Sequence, residues 1–343
     1  MEEQKALKTL NSKSAILPVL ISFGILAVMF WRDDQLNAES LTAIAGIAVG
    51  GVLLALLLLL AKDFLNMSRF RFMSHGEIDL KSAFYIVLFW EFTVAVAPPL
   101  MGATTVLIFI LFKEGVPFGK ALAYAMLAAS LDNLFFLLAT PLAIWWSDGA
   151  IIPDAVLIAD QPDTKVEYLF WLSYTMIIGY TSFMLSAIVL MPKLIFRLLT
   201  ELVKIKFLKR FEATILEQGK QLLIASKILR GQKLGFWLKL IGLTSVIWIL
   251  KYGIVGALAS GYVALSFEDQ LMSIGKHLVM WVTLLVSPSP GNAGTAEFVF
   301  PAFYGDQLGT FAFATSIIWR MITYYPYLLV GAIILPMWLK RKK

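Results

Sequence analysis

The sequence predicts an all-α, polytopic membrane protein with about six transmembrane helices and two oppositely oriented re-entrant helical hairpins in an inverted repeat. Mean hydropathy is +0.79 and only 15% of the 343 residues are charged, against about 25% in soluble domains. The apolar residues lie in runs long enough to cross a bilayer. Two of these runs are interrupted by proline and glycine. A soluble fold is therefore excluded.

Six apolar runs of roughly 20 residues each predict spanning helices. The first follows three lysines in the manner of a signal peptide, but Arg32, Asp33 and Asp34 stand where a small-residue cleavage site would be. We therefore interpret it as an uncleaved anchor. The six predicted spans are residues 14–31, 41–61, 121–146, 168–191, 235–265 and 310–338.

Two further apolar runs, 83–112 and 271–304, cannot form continuous helices because proline and glycine break their centres. Each forms either a kinked span or a re-entrant hairpin. Two hairpins place 23 of the 29 basic residues on the cytoplasmic side, including Lys62 and Arg69 after the second span, and this favours the hairpins. The breaking residues are Pro98, Pro99 and Gly102 in the first run, and Pro288, Pro290, Gly291 and Gly294 in the second.

This topology predicts one integral membrane domain, residues 1–343, with both termini in the cytoplasm. Residues 41–146 form the first inverted unit, with hairpin 83–112, and residues 235–338 form the second, with hairpin 271–304. Inverted units built around interrupted helices are typical of transporters. Backbone N–H and C=O groups that these interruptions leave unpaired at membrane depth must line a water-filled cavity or be buried in protein. Residues 192–234 connect the units, either as an amphipathic helix in the inner leaflet or as a plain basic linker.

Ionisable side chains inside the predicted spans are candidate substrate contacts, because each is costly to insert alone. In the first unit these are Glu91, which precedes the proline break, and Asp132, with Asn133 beside it. Lys251 lies deep in the fifth predicted span. In the second unit Glu297 and Arg320 predict an ion pair, which either fastens the hairpin to the last span or contacts substrate.

The glycine-rich stretch before Glu297 predicts the start of a half-helix. Gly291, Asn292 and Gly294 would then present unpaired amide groups and a positive dipole end to an anionic group such as phosphate. Asn292 also contributes a side-chain amide.

Enzyme chemistry has little support in the sequence. The chain has no cysteine and only two histidines, and it contains no HExxH, GxSxG, Walker or GxGxxG pattern. We therefore expect no catalytic residue, no metal, no cofactor and no enzymatic activity.

The stretch Ser287-Pro-Ser-Pro-Gly-Asn-Ala-Gly-Thr-Ala-Glu297, with Trp319-Arg320-Met-Ile-Thr-Tyr-Tyr-Pro326 and Gly331, resembles the C-terminal signature of the lysylphosphatidylglycerol synthase transmembrane family. Tyr324 lies in this signature and joins the candidate substrate contacts. The first half is similar more loosely, and Met101 and Ala103 replace a basic and an acidic residue of many members. The resemblance implies a bacterial inner-membrane domain that moves lipids between leaflets. A soluble synthase part is missing after Lys343, so lipid synthesis by this chain alone is not expected.

We therefore expect a lipid flippase or scramblase for an anionic phospholipid, an aminoacyl-phospholipid or a glycolipid. The alternative is a non-catalytic membrane subunit that binds a polyprenyl-linked or glycolipid substrate for a separate transferase. The expected partners are membrane lipids and no nucleic acid. A homodimer and a separate lipid-modifying transferase stay open as partners.

Overall fold

The computed structural model describes residues 42, 46–97, 103–153, 166–186, 191–202 and 212–341. These residues form α-helices and a short 3-10 turn, with no sheet among them. The first predicted span, 14–31, and the break at Pro98, Pro99 and Gly102 lie outside them. The helices before the chain midpoint are α1 (Val49–Met73), α2 (Leu80–Val96), α3 (Ala103–Lys113), α4 (Phe118–Trp146) and α5 (Val166–Leu185). Those after it are α6 (Pro192–Leu202), α7 (Glu212–Arg230), α8 (Leu234–Ala259), α9 (Phe267–Leu284), α10 (Thr295–Leu308), α11 (Phe311–Thr323) and α12 (Tyr325–Lys340).

Five stretches of the described chain are long and apolar enough to cross a membrane, namely α1, α4, α5, α8 and the joined pair α11–α12. They confirm five of the six predicted spans. The predicted end of the second span at Ala61 was wrong, because α1 continues to Met73. Lys62 and Arg69 therefore lie on the same long helix as the predicted second span.

The last predicted span is not one straight helix. Tyr324 has φ −124° and ψ −60°, and it separates α11 from α12. Pro326 has no amide hydrogen to donate to the preceding turn, so the helical ladder is interrupted here. The break turns the backbone next to Arg320, one turn earlier.

The first broken run forms α2 and α3, and both of its outer ends lie near the end of α12. Glu77, just before α2, pairs with Lys120 at the start of α4, with 2.5 Å between Lys Nζ and Glu Oε1. Trp338 Nε1 donates to Glu114 Oε1, just after α3, at 2.6 Å. The Trp338 ring also lies 4.4 Å from the ring of Phe89 on α2. The run thus turns back on itself between its two outer ends.

The second broken run forms α9, a 3-10 turn at Pro290–Asn292, and α10. The start of α9 lies beside the end of α10. Lys276 Nζ is 2.5 Å from Asp306 Oδ1, and Tyr304 OH donates to the Ser273 carbonyl at 3.0 Å. His277 Nδ1 lies 3.0 Å from the same hydroxyl. The two helices are therefore antiparallel and joined by a tip at residues 285–294.

Aromatic side chains fill the space between α4, α8, α9 and α11. The Phe136 and Trp281 rings stack with centroids 3.8 Å apart, and the Tyr252 ring lies 4.6 Å from that of His277. Close packing of this kind holds side chains in single positions. It fixes α8 against the second broken run.

The predicted connector contains two helices, α6 and α7. On α6 the exposed apolar residues Leu194 and Leu198 are four positions apart, as are the exposed basic residues Lys193 and Arg197. This spacing gives each pair its own side of the helix. The pattern matches an amphipathic helix, and its place relative to a membrane stays a prediction.

Candidate functional site

Lys62 on α1 is buried and is held by three oxygen atoms. Its Nζ lies 2.8 Å from Asp63 Oδ1, and it donates to Glu91 Oε1 at 2.8 Å and to the Tyr327 hydroxyl at 3.1 Å. Tyr327 OH in turn donates to Asp63 Oδ2 at 2.6 Å. Residues from α1, α2 and α12 thus meet at one ammonium group.

Arg69 lies about two turns further along α1. Its Nη1 donates to Asp132 Oδ1 on α4 at 2.6 Å and to Thr244 Oγ1 on α8 at 3.3 Å. Trp248 Nε1, also on α8, donates to the same carboxylate oxygen at 2.9 Å. Asp132 is therefore the acceptor that joins α1, α4 and α8.

Lys251 connects the group around Lys62 with the group around Arg69 and Asp132. Its Nζ lies 3.9 Å from Glu91 Oε2 and 4.7 Å from the centroid of the Trp248 ring. Because Glu91 uses its other oxygen for Lys62, the groups form one continuous set. We call this set the central ion network; it comprises Lys62, Asp63, Arg69, Glu91, Asp132 and Lys251.

The central ion network holds three cations and three anions, and their exposure differs. The side chains of Lys62 and Arg69 are each 2% exposed, whereas those of Asp132 and Lys251 are 14% and 28% exposed. A buried ionic group at mid-helix is costly unless it is paired. The two buried cations are paired at short range. Lys251 has the longest ion-pair distance and the most exposed side chain of the three cationic residues.

Polar atoms of further side chains lie close to the network. Asn66 Oδ1, Arg69 Nε and the Tyr252 hydroxyl are buried and have no hydrogen-bond partner among the described residues. Asn66 lies on α1 between Lys62 and Arg69, and the Tyr252 ring lies 5.4 Å from that of Trp248. Buried polar atoms normally pair with protein or with water.

A second group of residues surrounds the tip of the second broken run. Glu297 Oε2 accepts from the backbone N–H of Gly294 at 2.8 Å, and its Oε1 accepts from Arg320 Nε at 2.9 Å. Arg320 Nη2 donates to the Gly291 carbonyl at 3.2 Å, and its guanidinium lies 3.7 Å from the centroid of the Tyr324 ring. We call this set the tip cluster; it comprises Gly291, Asn292, Gly294, Glu297, Arg320 and Tyr324.

The tip cluster shows what occupies the start of α10. The Glu297 carboxylate already accepts from the first amide and lies in the first turn of the helix, where negative charge is favoured. It therefore bonds to one of the three amide groups that the sequence assigned to a substrate phosphate. Five of these six predicted contacts bond to one another or to α2, whereas the Asn292 side-chain oxygen has no hydrogen-bond partner among the described residues. Substrate contact by all six stays a prediction.

The two broken runs touch through the tip cluster. Gly291 N–H donates to the Ala97 carbonyl at 3.0 Å, and Tyr324 OH donates to the Ala95 carbonyl at 3.1 Å. Ala95 and Ala97 are at the end of α2, next to the first break. The break between α11 and α12 therefore lies beside the inner ends of both runs.

Gly291 has φ +55°, and a Cβ there would overlap the Ala95 carbonyl oxygen and the Tyr324 ring. We expect Gly291→Ala to lower the free energy of unfolding by about 1–2 kcal/mol for the left-handed backbone and by about 1–3 kcal/mol more for overpacking. Gly76→Ala is the matched control, because Gly76 has φ +85° and open space around it. Denaturant unfolding in detergent measures both. Equal losses for the two variants would contradict the contact.

The network and the tip cluster are neighbours. Glu91 and Ala95 are one turn apart on α2, and Tyr324 and Tyr327 lie about one turn apart across the start of α12. Glu91 and Tyr327 contact Lys62 of the network, whereas Ala95 and Tyr324 contact each other in the tip region. The separation along each of these stretches is about 4.5–6 Å. The two groups therefore lie about one helical turn apart inside the helical bundle.

The structure brings together two predicted contacts of the first unit, Glu91 and Asp132, with Lys251 from the second unit. Asn133 is half-buried beside Asp132, and no hydrogen bond to its side chain occurs within the described ranges. Sequence reasoning missed Lys62 and Arg69, which supply the buried cations. Their spacing was the available signal: Lys62, Asn66, Arg69 and Met73 fall at the i, i+4, i+7 and i+11 positions of one helical face.

No group of three or more histidine, cysteine, aspartate or glutamate side chains able to hold a metal occurs in the part of the chain that the structure describes. The central ion network instead pairs three cations with three anions, and Asp132 and Lys251 are its more exposed members beside Asp63.

Five candidate spans and a central ionic region define the class: the chain is a multi-pass membrane protein. The family model described as "Lysylphosphatidylglycerol synthase TM region" matches residues 15–331. The chain belongs to this family, which confirms the resemblance found in the sequence. No curated protein and no solved structure matches the chain.

Proposed function

We propose that the protein is a lipid flippase or scramblase, without enzymatic activity, that moves an anionic phospholipid, an aminoacyl-phospholipid or a glycolipid between the leaflets of the bacterial inner membrane. The observation that carries the proposal is the central ion network. It places six charged side chains on α1, α2, α4 and α8, and of these helices α1, α4 and α8 are long and apolar enough to span a membrane. Such residues mark polar pathways in membrane proteins more often than structural sites.

The broken runs support the same proposal. In this account 83–112 and 271–304 are re-entrant hairpins that enter from opposite sides and belong to inverted units. Their inner ends are joined by the bond from Gly291 N–H to the Ala97 carbonyl. Transporters of inverted design have their substrate site where interrupted helices meet. The central ion network lies one helical turn from this meeting point.

The accessible charges give each residue a role. Lys251 contacts the head-group phosphate, because its side chain is the most exposed of the network's three cationic side chains and the least tightly paired. Asp132 and Glu91 contact a hydroxyl or ammonium group of the head group. Lys62 and Arg69 hold these two carboxylates in position. Arg320 and Glu297 fasten the tip of the second run against the end of α2. The acyl chains stay in apolar surroundings, so only the head group needs the polar path.

Replacing Lys251 tests the proposal with little expected damage to the fold. We expect Lys251→Gln to slow translocation at least about tenfold, because one charge-assisted hydrogen bond to the phosphate, of about 1.5–3 kcal/mol, is lost. The measurement is dithionite bleaching of a fluorescent phosphatidylglycerol in proteoliposomes. Thermal unfolding in detergent checks that the variant is folded.

Lys239→Gln is the matched control, because Lys239 is an exposed lysine on the same helix and lies over the Phe72 ring at 4.3 Å. It should translocate lipid at the unmodified rate. A folded Lys251→Gln protein with unchanged translocation would remove Lys251 from the mechanism. Absence of translocation by the unmodified protein for phosphatidylglycerol, its aminoacylated form and a glycolipid would refute the proposed function.

A second candidate function is a lipid-binding subunit for a separate transferase. The amphipathic pattern on α6 favours it, since Lys193 and Arg197 offer a charged surface beside Leu194 and Leu198. In that case a transferase should co-purify with the protein, and reconstituted vesicles should show no lipid translocation. Both co-purification and lipid translocation must be measured to distinguish the two candidate functions.

A further inference from the structure

An apolar groove runs between α4 and α8, next to the central ion network. It consists of two adjoining cavities of about 180 and about 290 Å³, and both share Leu131, Leu134 and Ile241 as walls. We call it the α4–α8 groove. Along the groove, residue numbers increase in the same direction on α4 and on α8, so the two helices are parallel here.

The groove is long and open to the outside of the bundle. Its α4 wall extends from Leu127 to Leu142, which is about 22 Å at 1.5 Å per residue. One leaflet of the hydrocarbon core is about 15 Å thick. Leu138, Leu142 and Ile249 on its walls are 56%, 63% and 46% exposed. In a membrane-spanning chain, such surfaces face lipid.

The groove reaches the ionic region at its middle. Thr244 lines the larger cavity and accepts a hydrogen bond from Arg69. Trp248 and Asp132 are on the same two helices, and the Trp248 ring lies 6.4 Å from that of Phe135, another wall residue. The α4–α8 groove therefore leads from an apolar surface to the central ion network, and residues of α4 and α8 line both.

An apolar surface that leads to charged side chains matches an amphiphile. We propose that the α4–α8 groove binds one acyl chain of the lipid whose head group occupies the central ion network. This assignment rests on the proposed lipid-moving function, and it specifies where one acyl chain of the lipid lies. The chain would lie along the leucines of α4 while its head group reaches Asp132 and Lys251.

Photo-crosslinking tests the groove directly. Proteoliposomes of the full chain are prepared with phosphatidylglycerol that carries a diazirine in one acyl chain, illuminated, digested and mapped by mass spectrometry. Labelling of residues 131–142 and 241–249 should exceed that of residues 53–60 on α1 severalfold. This α1 stretch is the reference for general lipid contact, because Leu53, Leu57 and Leu60 are more than 60% exposed.

Two variants narrow the groove from opposite walls. Ser245→Phe on α8 and Ala139→Phe on α4 should each lower groove labelling to the level of the α1 reference, because the added ring fills the trough. Val246→Phe is the matched control, since Val246 is exposed and is not a wall residue. Its labelling should stay unchanged. Two filling variants are used so that a folding defect in one leaves the test intact.

The outcomes separate this inference from the proposed function. Groove labelling that equals the α1 reference, or that persists in both filling variants, would overturn the acyl-chain site even if the unmodified protein translocates lipid. Groove labelling above the α1 reference supports the site if Ser245→Phe and Ala139→Phe lose it and Val246→Phe keeps it. The translocation rate of the unmodified protein, measured on the same vesicles, decides the proposed function independently.

Discussion

Replacing Arg69 by Met is expected to lower the free energy of unfolding by about 3–5 kcal/mol, because it strands the Asp132 carboxylate next to apolar surroundings. Asp132 Oδ1 would keep only the Trp248 N–H at 2.9 Å. Arg69 is 2% exposed, so water cannot replace it without opening the bundle. Denaturant unfolding of the purified protein in detergent measures the loss.

A second substitution separates stability from function. Arg69→Met combined with Asp132→Leu removes both charges, and well-packed apolar replacements of buried pairs are often close to neutral. We expect the double variant to recover most of the lost stability and to remain unable to translocate lipid. A single Arg69→Met variant as stable as the unmodified protein would contradict the burial of this pair. Normal translocation by the double variant would show that the pair serves only the fold.

Replacing Arg320 by Met is expected to have a destabilising effect of the same size, about 3–5 kcal/mol. Glu297 is 1% exposed and would keep only the Gly294 N–H for its charge. The Gly291 carbonyl and the Tyr324 ring would also lose their cation. The thermal unfolding midpoint and denaturant curves measure the effect.

Two controls identify the cause. Adding Glu297→Gln to Arg320→Met removes the stranded charge while the glutamine oxygen still accepts from Gly294, so part of the stability should return. Lys120→Met breaks the exposed pair with Glu77, and it should cost no more than about 1 kcal/mol. A loss for Arg320→Met no greater than that for Lys120→Met would contradict the role of Arg320 in holding the tip.

Local chemistry explains what the sequence could predict. Pro290, Gly291 and Gly294 interrupt a helix wherever they occur together, so the break of the second run required no tertiary information. The Glu297–Arg320 pair was predictable as well, because opposite charges at membrane depth favour each other.

Long-range packing explains what the sequence could not predict. Tyr324 bonds to the Ala95 carbonyl across 229 residues, and no pattern near either residue specifies that partner. Lys62 and Arg69 were assigned to a cytoplasmic segment because polar residues normally end an apolar span. The acceptors that keep them inside, Glu91 and Asp132, come from α2 and α4. The pairing of these two cations therefore depends on carboxylates that are distant in the sequence.

The central claim is that Lys251 presents its charge to a water-accessible lipid path in the middle of the bundle. Because the chain has no cysteine, Lys251→Cys creates a single thiol, and methanethiosulfonate ethylammonium converts that thiol into a side chain with a lysine-like charge. We predict that this variant translocates lipid at least about tenfold more slowly, that its thiol reacts with the water-borne reagent, and that the reaction restores translocation. A thiol that does not react, or translocation that the substitution leaves unchanged, would contradict the account.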